Sequence, residues 1–213
     1  MSRIARAGLI SVLILAMLLW ITSCGSAMTF HGQVIDADTK EPIEGAVVVV
    51  YWYQARMTAI GEENLTLKDI KESLTDKNGQ WTITGPKGRM HDLFPYFSTI
   101  TGIHYTKEPE FIIFKPGYCS WPKGFSIEVC KGKMKSEGPG EIMEGKILEL
   151  PKLKNKEDRL TVLPSTLSSS SDDPQEEIRI QKKQLEFLRL INEERRNLGL
   201  SEYKLFERLR DEK

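Results

Sequence analysis

The sequence predicts an all-β domain carrying a helical tail, on three observations. Ala46-Val47-Val48-Val49-Val50-Tyr51-Trp52-Tyr53 is a β-branched and aromatic run with the composition of a strand. Shorter apolar stretches around it are separated by turn formers such as Asp36-Ala37-Asp38-Thr39 and Asn78-Gly79. Beyond a serine-rich linker at 164–173, apolar residues recur at helical spacing instead.

Thr29 to Asp36 alternates large apolar and polar residues, as a half-buried strand does. Residues 36–45 are dense in turn formers and bring the chain back into the Ala46–Tyr53 strand. That strand has no polar face, so it needs cover on both sides. Residues 54–72 read as a polar connection with a short helical turn. Two short strands then flank Asn78-Gly79, the signature of a tight hairpin whose two central residues take positive φ. Asp76 lacks the regularly spaced oxygen ligands and distal Glu of a calcium loop, so it belongs to the turn. A loop from Gly85 to about Pro109 leads to a strand entering a turn over Phe111–Tyr118, a partner strand at Phe125–Cys130 and a last strand at Ile147–Leu150.

In the tail, Asp173-Pro174-Gln175-Glu176 supplies an N-cap, a proline at the first helical position and an acidic N3. Ile180, Phe187, Ile191 and Leu198 share one face, which Gln184 interrupts. Gly199 is the expected stop, and Tyr203, Leu205, Phe206 and Leu209 read as a second helix. The stripe is expected to cover the outer face of the Val47–Tyr53 strand or to dock on another protein, the alternative being a solvated, frayed helix.

The first 23 residues read as a signal peptide: Arg3 and Arg6, an uncharged core from Ala7 to Trp20, then small residues. Ile21-Thr22-Ser23-Cys24 resembles the lipobox of bacterial lipoproteins, which implies that Cys24 becomes the lipidated first residue and 24–28 a tether. An uncleaved membrane anchor and cleavage after Ala27 are the alternatives. Acidic and basic residues balance at 30 each, and loss of Arg3 and Arg6 leaves a slight acidic excess. No concentrated basic surface points to nucleic acid.

In an exported chain the remaining cysteines, Cys119 and Cys130, are expected to pair across a hairpin turning at Trp121-Pro122-Lys123-Gly124, with free thiols as the alternative. Two sulfurs alone make no metal site. His31, His91 and His104 read as surface or satisfied polar residues, since Pro109 disfavours a helix that would align His104 with Glu108. No metal and no cofactor is expected.

Phe30-His31-Gly32-Gln33-Val34-Ile35-Asp36, Pro42-Ile43-Glu44-Gly45-Ala46-Val47-Val48 and Thr75-Asp76-Lys77-Asn78-Gly79-Gln80-Trp81 together resemble the bacterial carboxypeptidase regulatory-like domain. Phe114-Lys115-Pro116-Gly117-Tyr118 is similar to that family's strand-to-turn segment. The resemblance covers about residues 29–150, within a domain drawn at 29–163 ahead of the tail at 174–213. It implies a seven-stranded Greek-key β-sandwich of transthyretin type, in which Gly45, Asn78, Gly79 and Gly117 shape the backbone.

It implies no catalysis. The module accompanies a separate zinc peptidase domain elsewhere, and none of the three histidines here begins a His-x-x-Glu pair. The related hydroxyisourate hydrolases carry a Tyr-Arg-Gly-Ser ending, whereas this chain reads Leu209-Arg210-Asp211-Glu212-Lys213. No Gly-x-Ser-x-Gly elbow occurs. The expected function is therefore a non-enzymatic, lipid-anchored envelope protein with a binding or scaffolding domain. Its partners would be membrane lipid through Cys24 and another envelope protein. In Gram-negative lipoproteins that resemble it, a residue other than Asp after the Cys implies the outer membrane, and Gly25 meets that condition. The alternative is a carbohydrate-binding module stacking sugars on Tyr51, Trp52, Tyr53, Trp81, Tyr118 or Trp121.

Overall fold

The computed structural model describes residues 27–57, 63–86, 105–134, 147–167 and 174–203. The leader, Cys24, His91, His104 and the expected second tail helix beyond Tyr203 lie outside the described residues. Among the described residues seven strands form: β1 (Thr29–Asp36), β2 (Val47–Met57), β3 (Glu63–Leu74), β4 (Gln80–Thr84), β5 (Tyr105–Thr106), β6 (Glu110–Phe114) and β7 (Ile147–Leu150). Between β6 and β7 lie a 3-10 turn (Lys123–Ser126) and α1 (Glu128–Lys131). After β7 come α2 (Lys156–Val162), α3 (Pro174–Lys182) and α4 (Leu185–Asn197).

One sheet has the order β4-β1-β7, with β4 antiparallel and β7 parallel to β1. In the other, β2 pairs with β3 along one edge and with β6 and β5 in tandem along the other, all antiparallel. Each sheet is thus three strands wide. The expected all-β, seven-stranded Greek-key sandwich is overturned: among the described residues the architecture is mixed α/β, two small sheets with four helices.

The composition of β2 follows from its position. Val48, Val50 and Trp52 point into a core between the sheets with Phe30, Trp81 and Phe111. Val47 and Val49 point the other way, into a second core with Ile112, Phe114, Ile180, Phe187 and Ile191. The tail therefore covers the outer face of β2, and the strand carries apolar residues at both parities because both faces are buried. Polar groups fix this seam. Glu72 on β3 accepts the backbone N–H groups of Glu186 at 2.9 Å and Phe187 at 3.0 Å, in the first turn of α4. Lys183 pairs with Asp69, and Arg159 holds buried Glu194 through two bonds of 2.7 and 2.6 Å.

Gln184, which interrupts the apolar stripe, is fully buried between α3 and α4. Its amide accepts from the Leu167 N–H and donates to the Leu167 carbonyl, both at 2.9 Å. It fastens the segment after α2 to the tail.

Three further expectations are corrected. Residues 54–57 and 63–72 belong to the long antiparallel strands β2 and β3; a bulge where Trp52 pairs with Asp69 and Tyr53 with Leu67 shifts the period of two and hid the strand. Asn78-Gly79 does not close a two-residue hairpin: Gly79 has φ 71° while Asn78 does not adopt positive φ, and the turn carries the chain from β3 in one sheet to β4 in the other. Asp76 organises that turn, accepting the N–H groups of Asn78 and Gln80 at 2.8 Å each. Phe125–Cys130 is helical turn, not strand. Its donors are satisfied locally, by Ile127 N–H on Gly124 O at 3.1 Å and Lys131 N–H on Ile127 O at 3.0 Å. Phe125 and Ile127 still pack on the first core, so a short alternating pattern was satisfied without a strand.

Candidate functional site

The 36–45 turn, the 115–118 turn and the segment after β7 meet at one end of the two sheets around an open cleft of about 320 Å³. Asp36, the last residue of β1, is buried at its base. One carboxylate oxygen accepts the N–H groups of Asp38 at 2.8 Å and Thr39 at 3.0 Å, so the side chain shapes its own turn. The other accepts the Tyr118 hydroxyl at 3.1 Å. Burial pushes the Asp36 carboxyl up, but the Thr39 and Asp38 amides, the Tyr118 hydroxyl and the Lys152 charge together hold it below its ordinary value. Burial, then the Asp36 hydrogen bond and the charges of Asp36 and Glu41, push the Tyr118 phenol up.

Tyr118 is placed by Gly117, which turns at φ 83°, and by Leu153 N–H donating to the Gly117 carbonyl at 2.8 Å. The Lys152 ammonium lies 5.8 Å from the Tyr118 ring centroid. On the opposite wall, Lys115 Nζ donates to the Glu44 carbonyl at 2.8 Å, beside Gly45 at φ 68°. Glu41, Glu44, Lys115 and Lys152 give the mouth both signs of charge. This suits a polar or zwitterionic group. It does not make Tyr118 a nucleophile, because its proton is held by Asp36 and its ionisation is opposed.

Of the residues singled out by sequence, Gly45 and Gly117 border this cleft. Gly79 packs behind it: a Cβ there would lie 2.3 Å from the Val34 carbonyl and 3.3 Å from Pro42 Cβ. Cys119 and Cys130 are joined by a disulfide with Cα atoms 5.9 Å apart, and Cys119 N–H donates to the Pro151 carbonyl at 2.9 Å next to the cleft. His31 is exposed on β1. Among the described residues no group of three His, Cys, Asp or Glu is placed to hold a metal ion, and no helix is long and apolar enough to cross a membrane. Sequence reasoning missed Asp36, Lys115 and Lys152 as cleft groups. Asp36 and Lys152 are brought together only by the pairing of β1 with β7, and no local pattern marks them.

The aromatics considered for sugar stacking are otherwise engaged. Trp52, Trp81 and Trp121 are in the core. Tyr51 is half-buried, edge-on to Tyr53, and donates to Glu110 at 2.8 Å. Tyr118 lines the cleft described above.

No protein-family model matches the chain, and no curated protein sequence matches it. Solved structures give distant similarity. A 3-chlorocatechol 1,2-dioxygenase from Rhodococcus opacus aligns at 26% identity and TM-score 0.27, over 46% of this chain and 43% of that one. The catechol 1,2-dioxygenase of Acinetobacter radioresistens aligns at 19% identity and TM-score 0.30, over 70% of this chain and 56% of that one. The chain spans about half the length of these enzymes, and likeness at this level defines neither family nor activity.

Proposed function

We propose that this chain is a non-enzymatic, lipid-anchored protein of the bacterial cell envelope whose two-sheet body binds or scaffolds a partner close to the membrane. The observation that carries this reading is how soon a central strand follows Cys24 in the chain. The Met28 carbonyl already accepts the Gly85 N–H at 2.8 Å, and β1, the central strand of its sheet, starts at Thr29. A chain acylated at Cys24 would therefore have only residues 25–28 between the lipid and its core. The binding surface this reading favours is the Asp36–Tyr118 cleft, whose polar groups hold one another in place and present mixed charge to a ligand. Labelled palmitate should enter the wild-type protein in cells and be lost in Cys24→Ser, which should also leave the membrane fraction. Equal labelling of both would refute the reading.

A further inference from the structure

We propose that the Asp36–Tyr118 cleft takes a primary ammonium group, such as the side chain of a lysine on a partner protein, and that the Lys152 ammonium fills its place in the free chain. The inference rests on the reading that this cleft is the binding surface, and deepens it by naming the group that is bound.

The inner groups of the cleft have only lone pairs to offer. Asp36 is an acceptor, one oxygen taking the Asp38 and Thr39 amides and the other the Tyr118 hydroxyl. Tyr118 spends its single O–H on Asp36, so its oxygen too can only accept from a guest. Lys115, the cation on the facing wall, is turned onto the carbonyls of Glu44 at 2.8 Å and Gly45 at 3.4 Å. A guest at the base must therefore bring the hydrogens. The charge agrees with that demand: Asp36, Glu41 and Glu44 line the cleft against Lys115 and Lys152. Asp38 and Lys40 of the same turn are each neutralised, by Lys133 and Glu149.

Between the two common cationic groups the geometry favours ammonium. A guanidinium binds a carboxylate best through both oxygens at once, and Asp36 has one oxygen engaged by its own turn and the other by Tyr118. An ammonium needs no such face, because its three donors reach separate oxygens. Lys152 already illustrates the arrangement. Its ammonium stands 5.8 Å from the Tyr118 ring centroid, close to the limit of about 6 Å for such contacts. Its charge also favours the ionised form of Asp36. The side chain is exposed, and the residue is fixed only through its backbone, which pairs with that of Tyr118. A guest ammonium that reaches the Asp36 and Tyr118 oxygens displaces it. The aliphatic stem of such a guest lies along Pro42 and the Tyr118 ring, which also line the cleft.

The test is an amide-shift titration of the full acylated chain in detergent micelles, read at Thr39, Glu44 and Tyr118. Nα-acetyl-lysine methylamide supplies a side-chain ammonium, glycine methylamide an α-ammonium, and succinate the opposite charge. At least one amine should shift these amides saturably, the tighter of the two telling a lysine side chain from an amino terminus as the source. Its affinity should rise several-fold in Lys152→Met, which removes the competing charge and keeps an exposed stem, and fall several-fold in Glu41→Gln. An amine affinity that is unchanged or lower in Lys152→Met overturns the inference. Succinate binding that weakens in Lys152→Met, with neither amine bound, also overturns it and leaves the cleft as a binding surface. Saturation by neither amine nor succinate, in wild type and in Lys152→Met, removes both the inference and the role of the cleft, while acylation of Cys24 is judged by its own labelling.

Discussion

The Glu72 carboxylate on β3 accepts the backbone N–H of Phe187 in the first turn of α4 at 3.0 Å. A strand residue thus performs the capping that a helix ordinarily obtains from its own preceding residue, satisfying donors that would otherwise be stranded in an apolar seam. Gln184, which precedes α4, makes no capping bond because its amide is committed to Leu167.

This contact has a pH signature. Burial raises the Glu72 carboxyl above its ordinary value of 4.5; the amides of Glu186 and Phe187 oppose the rise, the Glu186 carboxylate adds to it, and Arg189 opposes it. The folded state therefore holds the proton more tightly than the unfolded chain. Its stabilising contribution is fully present below pH 4.5 and is lost as pH rises through the elevated folded value. Urea denaturation at a series of pH values should show wild type gaining stability relative to Glu72→Gln as pH falls from neutral towards 4.5. Parallel curves for the two proteins would contradict this role.

Gln184→Leu would complete the apolar stripe that sequence periodicity asks for, yet it should destabilise the protein. The substitution strands the Leu167 N–H, while the Leu167 carbonyl keeps the Gln181 side chain as donor at 2.7 Å; the lost partner costs about 1–3 kcal/mol. A denaturation midpoint equal to or above wild type would show that the Gln184–Leu167 clasp contributes nothing.

Gly79 and Gly117 separate two effects that are usually mixed. Both have positive φ, but a Cβ on Gly117 meets nothing within 4 Å, while one on Gly79 collides with the Val34 carbonyl. Gly117→Ala should cost only the left-handed backbone penalty, about 1–2 kcal/mol. Gly79→Ala should cost at least about twice that, because rigid backbone must move. Thermal melts of the two variants give the comparison, and equal losses would refute the packing argument.

The Cys119–Cys130 disulfide closes a short loop around the 3-10 turn and α1 within the first core. Replacing both cysteines by serine should lower stability by about 2–4 kcal/mol, largely by freeing the unfolded chain. Non-reducing mass spectrometry confirms the bond, and chemical denaturation of the double variant measures its effect.

What could be read from sequence was governed by the range of the forces involved. Strands β1, β4 and β6 and the start of β2 carry their own propensity and alternation, and the tail its own apolar stripe, although that stripe runs over two helices, α3 and α4, that break at Lys183-Gln184 where one was expected. The bulge near Tyr53 could not be read, because a single extra residue on β3 inverts the alternation and makes a strand look like a polar loop. Nor could the helical turn at Phe125–Cys130, where three apolar residues at alternate positions fit either a strand or a compact turn. The cleft was beyond reach for a further reason: Asp36, Lys115 and Lys152 acquire their relation only through sheet pairing. Conversely, the lack of a polar face on Val47–Tyr53 did carry long-range information, since a strand of that kind must be covered twice.

The account turns on that double cover, and native-state hydrogen exchange measures it directly. The amides of Leu188, Leu190 and Ile191 in α4 should be protected to nearly the same free energy as those of Val48 to Val50 in β2, because both open only when the second core is lost. Rapid exchange throughout α4 beside a protected β2 would mean that the tail is a loosely held helix, and the two-core description would be wrong.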